Sequence, residues 1–128
     1  MIILLDTSTP VCKLTTVEND VRKYYEWQAD RQLAKGLLGW LNERLAEEGR
    51  VWTDITGIGA YLGPGSFTGL RIGLTVLNTL ADSLSVPIVG ATGDSWQGDA
   101  LLRLVNGEND QVTLPYYGSD AKITTPRK

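Results

Sequence analysis

The sequence predicts an α/β lobe, a mixed β-sheet that begins with a three-strand meander and has helices packed on it. Three observations predict it. Before residue 30 lie three short apolar or alternating segments separated by turn chemistry. An apolar run then enters a glycine-rich turn and emerges as a long helical pattern, and a second strand–helix pair follows.

Ile2 to Leu5 is an apolar run ending in Asp6-Thr7-Ser8-Thr9-Pro10, and Val11 to Val17 alternates behind it, so the two read as a hairpin. Glu18-Asn19-Asp20 turns the chain into a third strand, Val21 to Trp27, where Arg22, Lys23 and Glu26 mark an edge or a wet face. Asp30 to Gly49 reads as the first helix, capped by Asp30 and closed by Gly49. Ile55 to Leu62 is a buried strand, Phe67 to Leu84 the second helix, and Val86 to Val89 a short parallel-type strand. Thr92 to Val105 reads as a third helix, which Gly93 and Gly98 weaken. Beyond Asn106 the chain is polar and turn-rich, with one short strand at Gln111 to Tyr116 and a basic end at Pro126-Arg127-Lys128. The expected division is a lobe over 1–106 and a partly flexible C-terminal strand and tail over 107–128. As topology, this order is a single actin-like (ASKHA, RNase H-like) lobe.

Composition narrows the chemistry. The chain has 128 residues, 42% of them apolar, which suits one domain with a proper core. It has no histidine and one cysteine, which removes the commonest general base, nearly every zinc arrangement and any internal disulfide. Cys12 reads as an inert core thiol. No segment resembles a signal peptide or a membrane span, so a cytoplasmic location without membrane partners is expected. Net charge is -3, with twelve basic residues dispersed among fifteen acidic ones, so direct electrostatic binding of nucleic acid is not expected.

The turn Gly63-Pro64-Gly65-Ser66-Phe67-Thr68-Gly69, followed by Leu70-Arg71-Ile72-Gly73, sits where a strand becomes a helix. Ser66 is the expected N-cap, and the helix N-terminus would present N–H groups as phosphate sites do. The Walker lysine is missing, and Arg71 comes too late in the helix to replace it. The dinucleotide fingerprint fails because the next glycine is Gly69, and a nucleophile elbow is absent. Asp6, Thr7 and Thr9 have chemistry for metal and phosphate, and equally for an Asx or Ser/Thr turn. Both readings of each loop stay open at this point.

The helices carry more apolar surface than one sheet contact requires. Ala34, Leu38, Leu41 and Leu45 form one stripe that can face the sheet. Leu33, Leu37, Trp40 and Arg44 form a second beside it, and Phe67, Leu70, Leu74 and Leu77 run along the next helix with Val76 and Leu80 beside them. Intradomain core accounts for much of this; a helix-on-helix interface is the other reading, with Trp40 and Arg44 as anchors.

Ile3-Leu4-Leu5-Asp6-Thr7-Ser8-Thr9, Arg31-Gln32, Leu37-Leu38, the Gly63 to Gly73 segment and Val86-Pro87-Ile88-Val89-Gly90 together resemble the bacterial TsaB family, also called YeaZ, in order and spacing. The resemblance spans about residues 1 to 92. It implies an actin-like fold and a role in forming N6-threonylcarbamoyladenosine at position 37 of transfer RNAs that read ANN codons. It also implies a non-catalytic scaffold that binds and activates the transferase TsaD, through the two helices, or pairs through them with a second TsaB. The ATPase TsaE would join the pair, tRNA would be met only indirectly, and ATP, magnesium and metal would belong to partner subunits.

The sequence departs from the family in two places. Leu33 stands where the family usually has a histidine, and the second lobe that the resemblance implies is expected to be absent. Leu114-Pro115-Tyr116-Tyr117 with Ala121-Lys122 weakly resembles the family's C-terminal tail, so internal loss of the second lobe with retention of the tail is expected. A one-lobed chain offers no clamp for a nucleotide cleft. Three other readings are a nucleotide-binding phosphotransferase or acyltransferase using the Asp6 and Gly63 loops, a metallopeptidase, which lacks a ligand cluster here, and a homodimeric regulator.

Overall fold

The computed structural model describes residues 1–116, and at its centre is a five-stranded sheet in the order β3-β2-β1-β4-β5. β1 (Ile2–Asp6), β2 (Val11–Glu18) and β3 (Val21–Gln28) form the antiparallel meander. β4 (Gly57–Tyr61) pairs parallel with β1, and β5 (Ile88–Ala91) parallel with β4.

Alternation along β1 sends Ile3 and Leu5 to one face of the sheet and Leu4 to the other. Helices α1 (Leu33–Glu47) and α2 (Phe67–Leu84) cover the first face, and α3 (Trp96–Val105) covers the second. Burial on both faces explains why β1 reads as an unbroken apolar run rather than an alternating one. The larger core joins Leu5, Leu14 and Ile58 of the sheet to Leu37, Leu41 and Leu45 of α1 and Leu74, Leu77 and Ala81 of α2. The smaller joins Leu4 and Val89 to Trp96 and Ala100.

Several element ends differ from expectation for local reasons. Asp30 does not cap the first helix. It lies at φ 47°, and the N–H groups of Ala29 and Asp30 both donate to the Pro10 carbonyl, so Asp30–Gln32 is a 3-10 turn and the α-helix begins at Leu33. The strand expected from Ile55 begins at Gly57, after a 3-10 turn at Trp52–Asp54 closed by the Val51 N–H donating to Asp54 Oδ2 (2.8 Å). β5 starts at Ile88, not Val86. Ser85 closes α2 in the left-handed region (φ 57°), and the Val86 N–H still donates to Ala81, which keeps Val86 in the helix cap. The third helix begins at Trp96 because Gly93 turns at φ 83° before it.

The strand expected at Gln111 to Tyr116 does not form. Gln111 sits at φ 68°, and the segment is held largely by side chains. Asn109 Oδ1 accepts from the Ile88 N–H (3.1 Å), and the Asp110 N–H donates to the Ile88 carbonyl (2.8 Å). Asn78 and Thr113 bond reciprocally, and the Tyr116 N–H donates to the Leu62 carbonyl (2.7 Å). The chain thus returns along β5 to the junction of β4 and α2. The expectations for Tyr117, Ala121, Lys122 and the basic end lie outside the described residues.

Candidate functional site

The sequence singles out two regions, a pair of loops at one end of the sheet and the outer face of α1 and α2. In the loops, polar groups satisfy one another. Asp6 Oδ1 accepts from the Ser8 N–H (2.8 Å), an Asx-type turn, and Thr9 Oγ1 bonds both ways with the Val11 backbone. The buried Thr7 hydroxyl donates to the Gly69 carbonyl (2.7 Å), and the Ser66 N–H donates to the Ser8 carbonyl (2.8 Å). Ser66 is the N-cap of α2, its Oγ accepting from the Gly69 N–H (3.1 Å).

The glycines of the motif permit this contact. A Cβ on Gly65 would strike Ser8, and one on Gly73 would strike the Thr7 side chain, so the β1–β2 loop lies directly on the first turns of α2. Gly63 (φ 120°) faces the Tyr116 carbonyl, and the Gly63–Pro64 peptide is cis. Thr68, Gly69 and Thr9 line an open depression of about 920 Å³ together with Arg31 and Ile72. Arg71 does not point to a phosphate position formed by the loops; its guanidinium stacks 5.0 Å over the Phe67 ring on the helix exterior. Cys12 is buried beneath this region, and burial, with the Asp6 charge second, pushes its thiol up to about 12.

The helix face differs from the sequence expectation in phase. Leu33, Leu37 and Trp40 face the sheet with Leu41 and Leu45, and all five are buried. Leu70, Leu74 and Leu77 are likewise core. These six of the expected interface residues are therefore unavailable to a partner. Arg44 is half-buried, 5.7 Å over the Trp40 ring and paired with Glu47 at 2.8 Å, so it too is engaged within the chain. The cause lies on β3. Trp27 projects toward α1 and stacks on Trp40 (centroids 5.5 Å apart), which draws the Trp40 side of the helix inward and rotates Ala34 and Leu38 outward.

Among the residues left outside are large apolar ones. Leu38 is 50% exposed and Phe67 is 53% exposed. Between the two helices run two shallow furrows. One is lined by Ala34, Phe67, Arg71, Ile72, Thr75 and Val76, the other by Leu38, Gly39, Trp52, Leu80 and Leu84 with two polar neighbours. The periodic stripes announced this surface, but Trp52 gave no sequence signal, since it reaches the furrow from a turn outside either helix.

Comparison with known proteins bears on both regions. Residues 27–92, from the end of β3 through β5, match the family model described as "TsaD: tRNA N6-adenosine threonylcarbamoyltransferase". The chain is 28% identical over 108 residues to the tRNA threonylcarbamoyladenosine biosynthesis protein TsaB of Haemophilus influenzae, and 29% identical over 91 residues to the protein of that name from Escherichia coli. A solved structure titled YeaZ from Pseudomonas aeruginosa superposes with a TM-score of 0.66 at 30% identity, over 71% of this chain and 43% of that one. The chain belongs to the TsaB/YeaZ family. A second solved structure, of a protein described as similar to peptidase YeaZ from the same organism, gives 0.67 over the same share of this chain. The fold of the family is actin-like and RNase H-like, as the strand order anticipated. The two curated alignments take in 84% and 71% of this chain but only 46% and 39% of the relatives, so the chain spans less than half the length of either.

Among the described residues no helix is long and apolar enough to cross a membrane, and no cluster of three or more histidine, cysteine, aspartate or glutamate side chains could hold a metal ion.

Proposed function

We propose that the chain is a non-catalytic scaffold in tRNA threonylcarbamoyladenosine biosynthesis, docking on the transferase TsaD through the outer face of α1 and α2. The observation that carries this reading is the exposed apolar furrow between the helices, where Leu38, Phe67, Ile72, Val76 and Leu80 meet solvent in a family whose curated members are named for that pathway. Parallel helices with an apolar seam between them suit a partner helix laid along the seam, as ridges pack into grooves. Phe67 with Arg71 on its ring is the anchor type such an interface favours.

The non-catalytic part of the reading is supported by the loops. A phosphate-binding loop keeps backbone donors aimed at its ligand, whereas here the Ser66 and Gly69 N–H groups and the Thr7 hydroxyl are bonded within the chain. Titration calorimetry with Mg-ATP is expected to show no binding; micromolar binding would favour a nucleotide-dependent enzyme instead.

The docking face is tested by co-purification with TsaD. The variant Leu38→Glu/Thr75→Glu places charges at two exposed positions on the seam without entering the core, so it should fold and lose the complex. Glutamate at Leu37 or Trp40 would test stability instead, because both are core residues. Retention of TsaD by the folded double variant would remove this face from consideration.

A further inference from the structure

Helix α1 is held by the edge strand β3 along one side. Side chains two apart on a strand point the same way, so Tyr25 and Trp27 both reach the helix. Toward the start of α1, Trp27 stacks on Trp40 with the ring planes 24° apart. At its end, the hydroxyls of Tyr25 and Thr16 both donate to Glu48 Oε2 (2.7 Å each). Gly36, Trp40, Arg44 and the C-cap Glu48 recur at four-residue spacing and make up the side turned to β3.

Gly36 is a notch in that side. A Cβ there would lie 2.8 Å from Trp27 Cη2 and 3.1 Å from Trp27 Cζ2, so the edge of the indole occupies the space a side chain would take. Swinging the indole aside would break its stack on Trp40. Leu38 is two residues from both Gly36 and Trp40, about 200° round the helix, and lines the furrow with Leu80 and Leu84 of α2. β3 and α2 therefore flank α1 on opposite sides.

We infer that Trp27 is a positioning residue for partner docking: the depth to which its indole enters the Gly36 notch fixes how far α1 stands from α2, and with it the width of the furrow. This rests on the scaffold reading and adds to it a residue remote from the seam. Ridges of a partner helix mesh with the grooves of α1 and α2 at one spacing of the two, so a small displacement of α1 is read as affinity.

Calorimetry of TsaD binding by the full 128-residue chain, beside melting temperatures, separates positioning from stability. In Gly36→Ala the methyl group pushes α1 toward α2, while alanine is the better helix former, so the variant should melt with the wild type and lose roughly tenfold in affinity. Trp27→Phe lacks the atoms that fill the notch and should lose about threefold. In the double variant the methyl group takes the space the indole edge has left, and affinity should return to within about twofold of the wild type. Leu45→Ala, which opens the core under α1 away from Trp27, should lower the melting temperature and leave the affinity of the folded chain unchanged. A Gly36→Ala chain that binds as the wild type does, a double variant no better than Gly36→Ala, or affinities that follow melting temperature across the set would each overturn the positioning role. A wild type that does not bind TsaD would instead overturn the scaffold reading, and this role with it.

Discussion

The loop end and the helix face of this molecule each admit a site or a purely structural reading in sequence, and they differ in what they leave unsatisfied in the fold. At the loops, Thr7, Ser8, Ser66 and Gly69 pair their polar groups among themselves, and the glycines exist to let two backbones touch. On the helix face no such closure occurs, and apolar side chains from both helices meet solvent along a seam. The comparison teaches that a glycine-rich turn is a site only if its donors remain available. Periodic leucines, conversely, are core only on the side the fold turns inward.

Core and seam can be separated by mutation, and the largest contrast lies within adjacent residues. Leu37→Ala should cost about 2–5 kcal/mol of stability, as deletions from a closed core do, whereas Leu38→Ala should stay within about 0.5 kcal/mol. Urea denaturation of both variants measures the difference, and equal losses would dissolve the distinction. At the loop end, Gly73→Ala drives a methyl group into Thr7 and should cost about 1–3 kcal/mol. Ser66→Ala removes the N-cap of α2 and should cost about 1 kcal/mol. Both loop variants are expected to lower the melting temperature while leaving TsaD binding intact; loss of binding without loss of stability would make the loops part of the interface.

The smallest effect lies outside both regions, in the strap that closes β5. Burial alone would raise the Asp110 carboxyl, but hydrogen bonds from Arg103 and the Gly90 N–H, with the charge of Arg103, outweigh it and hold the group below its ordinary 3.8. A group whose pKa is lower in the folded state stabilises the fold above its unfolded value and loses that contribution as pH falls through the folded one. Wild-type stability should therefore fall as pH drops below 3.8, and Asp110→Asn should flatten that part of the profile. The pair is partly exposed, so the contribution should be under about 1 kcal/mol.

Much of the fold was legible because its signals are local. The Phe67 to Leu84 helix is found at its expected limits, since Ser66 caps it and Leu70, Leu74, Leu77 and Ala81 repeat along one side. The meander and the sheet order follow from apolar runs and turn residues in the same way. The phase of α1 was not legible. Two stripes of similar apolarity compete for the sheet, and the choice is made by Trp27 on a different element, a contact that helical periodicity does not encode. The C-terminal segment was misread for a related reason. Asn109, Asp110 and Thr113 do with side chains part of what a strand does with its backbone, and side-chain bonding of that kind leaves no alternating pattern.

Site-specific photo-crosslinking tells whether TsaD sits on the α1–α2 seam. A photoreactive residue at Leu38, on the α1–α2 seam, is compared with one at Leu102, an exposed apolar position of α3 on the other side of the sheet. Docking through the seam should give a crosslink to TsaD from position 38 and none from position 102. Crosslinking from position 102 alone would contradict it.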